Sequence, residues 1–260
     1  MKKPTISIAI ATYNEADNIK QCLKAVVDWA DEIVIYDAES IDDTVKIINT
    51  FPKTKLITGP NHPIFHINKQ RAIDVCKSDW ILQLDADEIV TPELKSEILT
   101  TISNNPSENG FWIDRKNYFL GRFLTKGGVY PDPTIRLYRR NKGKLPCKDV
   151  HEQARIIGSV GHLKSDLLHY ADPSFQRYLM RNNRYTGLIA TELESQKVPL
   201  NLFFGLNYFL LKPIINFFST YFRHKGFADG FPGFIFSWYS SLRFPISFIK
   251  YWELKNGKTD

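Results

Sequence analysis

Cysteine is scarce: Cys22, Cys76 and Cys147 are the only three in 260 residues, they lie far apart, and no CxxC pair occurs. An odd number without close spacing argues against a disulfide framework or a zinc site and fits a reducing compartment. Cys22 and Cys76 fall in helix-like segments, where a small buried thiol is expected. No leader is expected either. Lys2 and Lys3 precede the apolar run Ile6 to Ala11, but that run is too short for the core of a signal peptide, and Asn14, Glu15 and Asp17 follow at once. The run reads as a first core strand, and the chain is expected in the cytoplasm. There is no internal repeat, no low-complexity tract and no excess of glycine or proline, at 14 each. With 43% hydrophobic and 24% charged residues the composition is globular, which excludes a disordered chain. The net charge of +6 favours an anionic partner, whether nucleotide phosphate, anionic lipid or nucleic acid.

What is present is an alternation. Residues 5–11 are β-branched and apolar, as a buried strand requires. Ile19, Leu23, Val26 and Val27 then recur at helical spacing. A second apolar run at 32–36 ends at Asp37, and Asp42 and Asp43 open a second helix carrying Val45, Ile47 and Ile48. A strand at 55–58, a helix over 67–77 and a strand at 80–84 running into Asp85 complete the pattern, and Thr91-Pro92-Glu93 starts the next helix. Strands alternating with helices at this spacing predict an α/β fold with a doubly wound, mostly parallel sheet, whose ligands bind beyond the carboxyl ends of the strands. Thr12 to Glu15, Asp37 and Asp85 to Glu88 all fall at such ends. After about residue 108 come aromatic-rich, strand-like pieces at 111–119, 134–140 and 167–170, and from about 173 a polar helical stretch runs to Gln196.

Asp85 and Asp87, ending a buried strand, supply hard oxygen ligands that suit Mg²⁺ or Mn²⁺ rather than zinc. Three carboxylates within Asp85-Ala86-Asp87-Glu88 repel one another, so a cation is expected there; the plainer alternative is a solvated acidic turn leading into the Thr91 cap. Among the basic residues, Arg71 and Arg136 are candidates for phosphate contacts, Arg136 because alternation sets it opposite Ile135 and Leu137. His169, in an apolar strand-like segment, reads either as a core histidine or as a further metal ligand.

Ala11-Thr12-Tyr13-Asn14-Glu15, Asp37-Ala38-Glu39-Ser40-Ile41-Asp42-Asp43-Thr44 and Leu84-Asp85-Ala86-Asp87-Glu88, in this order across the first 110 residues, resemble the family 2 inverting glycosyltransferases of GT-A fold. Gly127-Gly128-Val129-Tyr130-Pro131-Asp132, Ile135-Arg136-Leu137-Tyr138-Arg139-Arg140 and Val150-His151-Glu152 resemble, more narrowly, the lipopolysaccharide inner-core β-1,4-glucosyltransferases; the run departs from that subgroup at Val129, where tryptophan is usual. The resemblance implies that Thr12, Asn14 and Glu15 line a nucleotide pocket, that Asp37 binds the base, and that Asp85 and Asp87 contact ribose and metal. It also implies that Glu152 is the base that deprotonates the acceptor, with Asp149 as the alternative, and that His151 orients Glu152 or binds the acceptor.

The end of the chain is a separate compositional zone. Between Leu200 and Trp252 lie 18 of the 35 aromatics, and residues 200–260 carry seven Lys/Arg against three Asp/Glu. The stretch 200–222 is long enough to span a bilayer, but Lys212 and Pro213 fall at its centre, which disfavours a simple span. Aromatics interleaved with basic residues describe helices lying in a membrane interface, with a helical cap packed on the catalytic domain as the alternative. No nucleic-acid-binding module is visible.

Together these readings predict a GT-A catalytic domain over 1–172 and a helical, aromatic-rich, membrane-interface region over 173–260. The expected reaction moves a hexose, glucose by the resemblance, from a UDP-sugar to a lipid-linked or lipopolysaccharide acceptor at the inner face of the membrane. The rivals are transfer to a polyprenyl phosphate, nucleotidyl transfer, and a non-enzymatic membrane-binding module.

Overall fold

The computed structural model describes residues 3–148 and 153–257. Two compact units emerge: Met1–Lys116 with Asp132–Tyr170, and Asn117–Pro131 with Ala171–Asp260.

The first unit is built on β1 (Ile6–Thr12), β2 (Glu32–Asp37), β3 (Thr54–Thr58) and β4 (Trp80–Asp85), which pair in parallel in the order β3-β2-β1-β4. Every residue of β1 is buried, as expected for a parallel strand covered on both faces. Its pleat divides the core. Ile6, Ile8 and Ile10 pack with Ile19 and Leu23 of α1 (Ile19–Lys24) and Ile48 of α2 (Thr44–Ile48), whereas Ala9 faces Ala72 and Ile73 of α3 (Phe65–Val75) with Val34 and Tyr36. Each fully buried aliphatic side chain contributes about 1.5–3 kcal/mol of transfer free energy, so this two-sided core fixes where the strands end.

Beyond β4 come β5 (Glu88–Val90) and α4 (Pro92–Ser103), the latter capped as expected: the Leu94 N–H donates to Thr91 Oγ1 at 3.1 Å, with proline in the first turn. The sheet then becomes mixed, with most further pairs antiparallel and one parallel. β6 (Gly110–Phe119), β7 (Arg122–Phe123), β8 (Asp132–Arg139), β11 (Val160–His162) and β12 (Leu167–Asp172) extend it, with β8 on β4, β6 on β8, and β12 between β6 and β5. β9 (Gly143–Lys144) and β10 (Arg155–Ile156) form a separate two-stranded ribbon. The α/β class and the order of the early elements are those expected. The short β5 was not legible, because three residues carry too little pattern to separate from a turn.

The second unit is helical. It contains α5 (Phe175–Ser195), capped by the Ser174 hydroxyl, a helix over Leu202–Arg223 with π turns at Asn207–Leu211 and Ser219–Arg223, and a helix over Gly230–Asn256. Ala190 and Leu193 of α5 share a cluster with Tyr208, Phe248 and Tyr251. Asp229 explains why 117–131 belongs to this unit. Its buried carboxylate accepts the N–H groups of Thr125 at 2.9 Å and Lys126 at 2.7 Å, and Arg122 lies 3.3 Å away. A buried carboxylate needs such partners, so the loop and the helical segment are held together.

Candidate active site

Strand register assembles the site. Thr12 is the cross-strand partner of Asp37, and Ala11 that of Asp85, so the ends of β1, β2 and β4 line up at one carboxyl edge of the sheet. The fully buried Asp37 accepts the Thr12 hydroxyl at 3.0 Å, the Ser40 hydroxyl at 2.6 Å and the Ser40 N–H at 2.9 Å. Three of the roughly four acceptor positions of a carboxylate are thereby filled. Ser40 in turn accepts the N–H of Asn14 at 2.9 Å, and the Asn14 side-chain oxygen accepts the N–H of Ile41 at 2.9 Å. Glu15 donates its N–H to Thr44 Oγ1 at 2.8 Å and its carboxylate accepts from Asn18 at 2.7 Å. The loops after β1 and β2 are thus one hydrogen-bonded unit. Asn14 takes a positive φ of 54°, a conformation asparagine tolerates better than most side chains.

The acidic cluster has a more divided chemistry than its sequence. Asp85 is paired with Lys69 of α3 and lies 2.7 Å from the guanidinium of Arg136 on β8. The same Arg136 nitrogen stands 2.5 Å from Glu88, which has no exposed surface, and Arg115 of β6 reaches Glu88 at 3.5 Å and Asp132 at 2.8 Å. The Asp85 N–H also donates to Glu88 at 2.9 Å. Asp85, Glu88 and Asp132 therefore interleave with Lys69, Arg136 and Arg115, which relieves the charge of two of the three carboxylates in the Asp85–Glu88 turn. Burial alone pushes the Asp85 carboxyl up, but the charges of Arg136 and then Lys69 outweigh it and hold that group well below the usual carboxylate range. The partner effect mirrors this: burial lowers the Arg136 pKa, but Asp85 and then Glu88 outweigh it and hold the group above its ordinary value. Cys22, whose thiol faces the Asp85 carbonyl at 3.6 Å, is pushed up by burial and by the nearby carboxylates of Glu88, Asp87 and Asp85.

β5 pairs with β12 so that Glu88 opposes His169, and the His169 Nε2 comes within 3.6 Å of Asp87. Both side chains keep some exposure, 15% for Asp87 and 13% for His169. Among the described residues no cluster of three or more His, Cys, Asp or Glu is arranged to hold a metal by itself. A carboxylate and an imidazole nitrogen fit a divalent cation only if substrate oxygens and water complete its shell, which is the ordinary way Mg²⁺ is held beside phosphates.

Arg71 is not brought into the cluster; it is exposed on α3, its guanidinium 5.7 Å from the Tyr36 ring centre. Glu152, His151 and Asp149 lie outside the described residues.

With this geometry, residues 7–156, well over half of the chain, match the family model described as glycosyl transferase family 2. The chain belongs to glycosyl transferase family 2. It is 28% identical over 245 residues to the lipopolysaccharide core biosynthesis glycosyltransferase LpsC of Rhizobium meliloti, covering 90% of this chain and 86% of that one. It is 38% identical over 96 residues to the SPbeta prophage-derived glycosyltransferase SunS of Bacillus subtilis, covering 36% of this chain and 23% of that one. Among solved structures, it is similar to S. aureus TarS 1–349 in complex with UDP, at 13% identity and a TM-score of 0.49, covering 98% of this chain and 92% of that one.

Ser40, Glu88 and Arg115 join this network at the sheet edge, and none of the three was among the candidate site residues read from the sequence. Arg115 had a signal: it shares the period-two face of Phe111 and Ile113, both buried, and an arginine on a core face requires an acid partner. Glu88 had none, since its neighbours drew it into the metal reading.

Proposed function

We propose that this glycosyltransferase moves a hexose from a UDP-sugar to a lipid-anchored glycan of the lipopolysaccharide-core class, inverting the anomeric centre. The observation that carries the reading is the alignment of Thr12, Asp37 and the Asp85–Asp87 turn at one sheet edge in a family 2 chain. The similarity to LpsC along nearly its whole length supports the acceptor class. The residues divided as 1–172 would form the catalytic domain, and 173–260 the region that meets the membrane on its cytoplasmic face.

In this mechanism Thr12, Asn14, Glu15 and Asp37 hold the nucleoside. Lys69, Arg136 and Arg115 keep Asp85 ionised and fixed, so that it presents acceptor oxygens to the ribose. Asp87 and His169 would hold Mg²⁺ or Mn²⁺, which supplies Lewis-acid stabilisation of the departing diphosphate. Glu152 accepts the proton of the acceptor hydroxyl as that oxygen forms its bond to the anomeric carbon and the bond to UDP breaks, with His151 orienting it.

The deciding experiment follows UDP release from purified full chain with UDP-glucose, lipopolysaccharide-core acceptor and Mn²⁺, beside thermal melts with UDP and Mn²⁺ or chelator. Stabilisation by UDP that chelator abolishes, and at least about a hundredfold loss of turnover in Glu152→Gln with UDP binding intact, are expected. Absence of any metal-dependent stabilisation overturns the donor reading. Full activity of Glu152→Gln toward a polyprenyl phosphate, an acceptor already anionic, would move the acceptor to that class.

A further inference from the structure

The helix over Leu202–Arg223 is built inside-out for a protein in water. Leu202, Leu206, Leu210, Ile214, Phe218 and Phe222 recur at every fourth position, and each is between 48% and 79% exposed. Tyr208 alone among residues 202–223 is buried. A spacing of four does not stay on one face of a regular helix, because an α turn takes about 3.6 residues and the row drifts. The wider π turns at Asn207–Leu211 and Ser219–Arg223 reduce that drift, and Phe203, Phe209, Leu211 and Ile215, also exposed, widen the row into an apolar band.

The polar residues of the same helix turn toward the helix over Gly230–Asn256. The Lys212 ammonium sits 3.6 Å from the centre of the Tyr208 ring and 5.9 Å from that of Phe244. The Asn216 amide donates to Ser241 at 3.1 Å and to Ser240 at 3.3 Å. The facing helix carries Gly233, Ser237 and Ser241 at four-residue steps, all buried, and the two serine hydroxyls bond back to their own helix at 2.8 and 2.7 Å. A Cβ at Gly233 would lie 2.0 Å from the carbonyl oxygen of Gly226, in the connecting turn, so that turn packs backbone to backbone on the start of the second helix. Small residues between helices, polar groups matched inward and large apolar groups outward form the arrangement expected in hydrocarbon. The central lysine that disfavours a span is thus already partnered on the inner side. Arg223, His224 and Lys225 follow the stripe, all exposed, and complement an anionic surface.

We propose that this stripe enters the acyl region of one leaflet of an anionic bilayer, with the hairpin lying in the membrane plane. Arg243, exposed midway along the second helix, would stand at the bilayer centre in a spanning hairpin, and lies at the headgroup level in this one. The inference rests on the proposal that the enzyme works at a membrane, and adds which residues meet lipid and how deeply.

The test uses the full chain and vesicles of phosphatidylcholine and phosphatidylglycerol, 7:3. An environment-sensitive NBD label is attached at Ile214→Cys or, separately, at Asn216→Cys, in Cys147→Ser protein; Cys22 and Cys76 are buried thiols with raised pKa values and resist labelling. Insertion predicts that flotation with vesicles survives 1 M NaCl, and that the label at 214 is quenched by nitroxides on the acyl chains several-fold more than the label at 216. The Leu206→Ser, Leu210→Ser, Ile214→Ser variant should partition at least about a hundredfold more weakly while its catalytic unit still binds UDP. Flotation that salt abolishes, without acyl-chain quenching, overturns insertion but leaves the membrane-surface reading standing. No flotation at all overturns both. A stable dimer in vesicle-free buffer that shields the label at 214 assigns the stripe to a second copy of this chain and overturns the proposal.

Discussion

Arg136 bridges Asp85 and Glu88 with a single guanidinium nitrogen, 2.7 Å from one carboxylate and 2.5 Å from the other. With 6% of its side chain exposed, this arginine is the electrostatic keystone of the acidic turn. Arg136→Met leaves a wholly buried Glu88 with the Asp85 N–H and with Arg115, at 3.5 Å, as its remaining cationic partner among the described residues, and should destabilise the protein by about 3–5 kcal/mol. At about 2–4 °C per kcal/mol for a chain of this size, a thermal melt reads the loss directly. Arg136→Lys should restore part of it, because one ammonium cannot match the fork.

Acid titration should expose Asp85. Its folded pKa is depressed, so the stability it contributes is present above the unfolded value of about 3.9 and is lost as pH falls below that. Melting temperature is therefore expected to drop below about pH 4 in the wild type. In Asp85→Asn the acid slope should be shallower, from a starting stability already lower at neutral pH. Melts in buffers from pH 3 to 7 check both signs.

Asp87 and His169 are expected to act together. Asp87→Asn and His169→Ala should each weaken Mn²⁺-dependent UDP binding by about 10–100-fold, with little change in melting temperature when no ligand is present. The double variant should cost little more than either single one, since the pair shares one cation. Calorimetry with UDP, with and without Mn²⁺, makes the comparison.

Ser40 links two loops through one hydroxyl. Ser40→Ala removes an acceptor from the Asn14 N–H and a donor from the buried Asp37, and should cost about 1–3 kcal/mol. UDP affinity should fall as well, because Asn14 and Asp37 lose their common anchor. Ser40→Thr keeps the hydroxyl and should recover most of the binding.

The parallel half of the sheet was legible because β1, β2 and β4 are largely apolar runs that end abruptly in Thr12, Asp37 and Asp85, so pattern and chemistry change at the same residue. The partners of Asp85 were not. Lys69 and Arg136 lie 16 residues before it and 51 after it, and only the pairing of β4 with β8 and the packing of α3 bring them together. Glu88 was hidden for a related reason: a carboxylate beside two others reads as part of a metal site until a buried arginine is seen against it. In the helical region the aromatic and basic composition was plain, but the direction of each side chain depended on π turns that no periodicity of 3.6 anticipates.

Those π turns make chain length the sensitive quantity in residues 202–223. One residue added between Leu211 and Ser219 rotates everything beyond it by about 100°, swinging Phe218 and Phe222 toward the neighbouring helix and Asn216 or Thr220 outward. Substitution of one large apolar residue by another leaves the helical phase untouched. Natural variation along this helix should therefore be substitutional, and any tolerated change in its length should come as a whole turn.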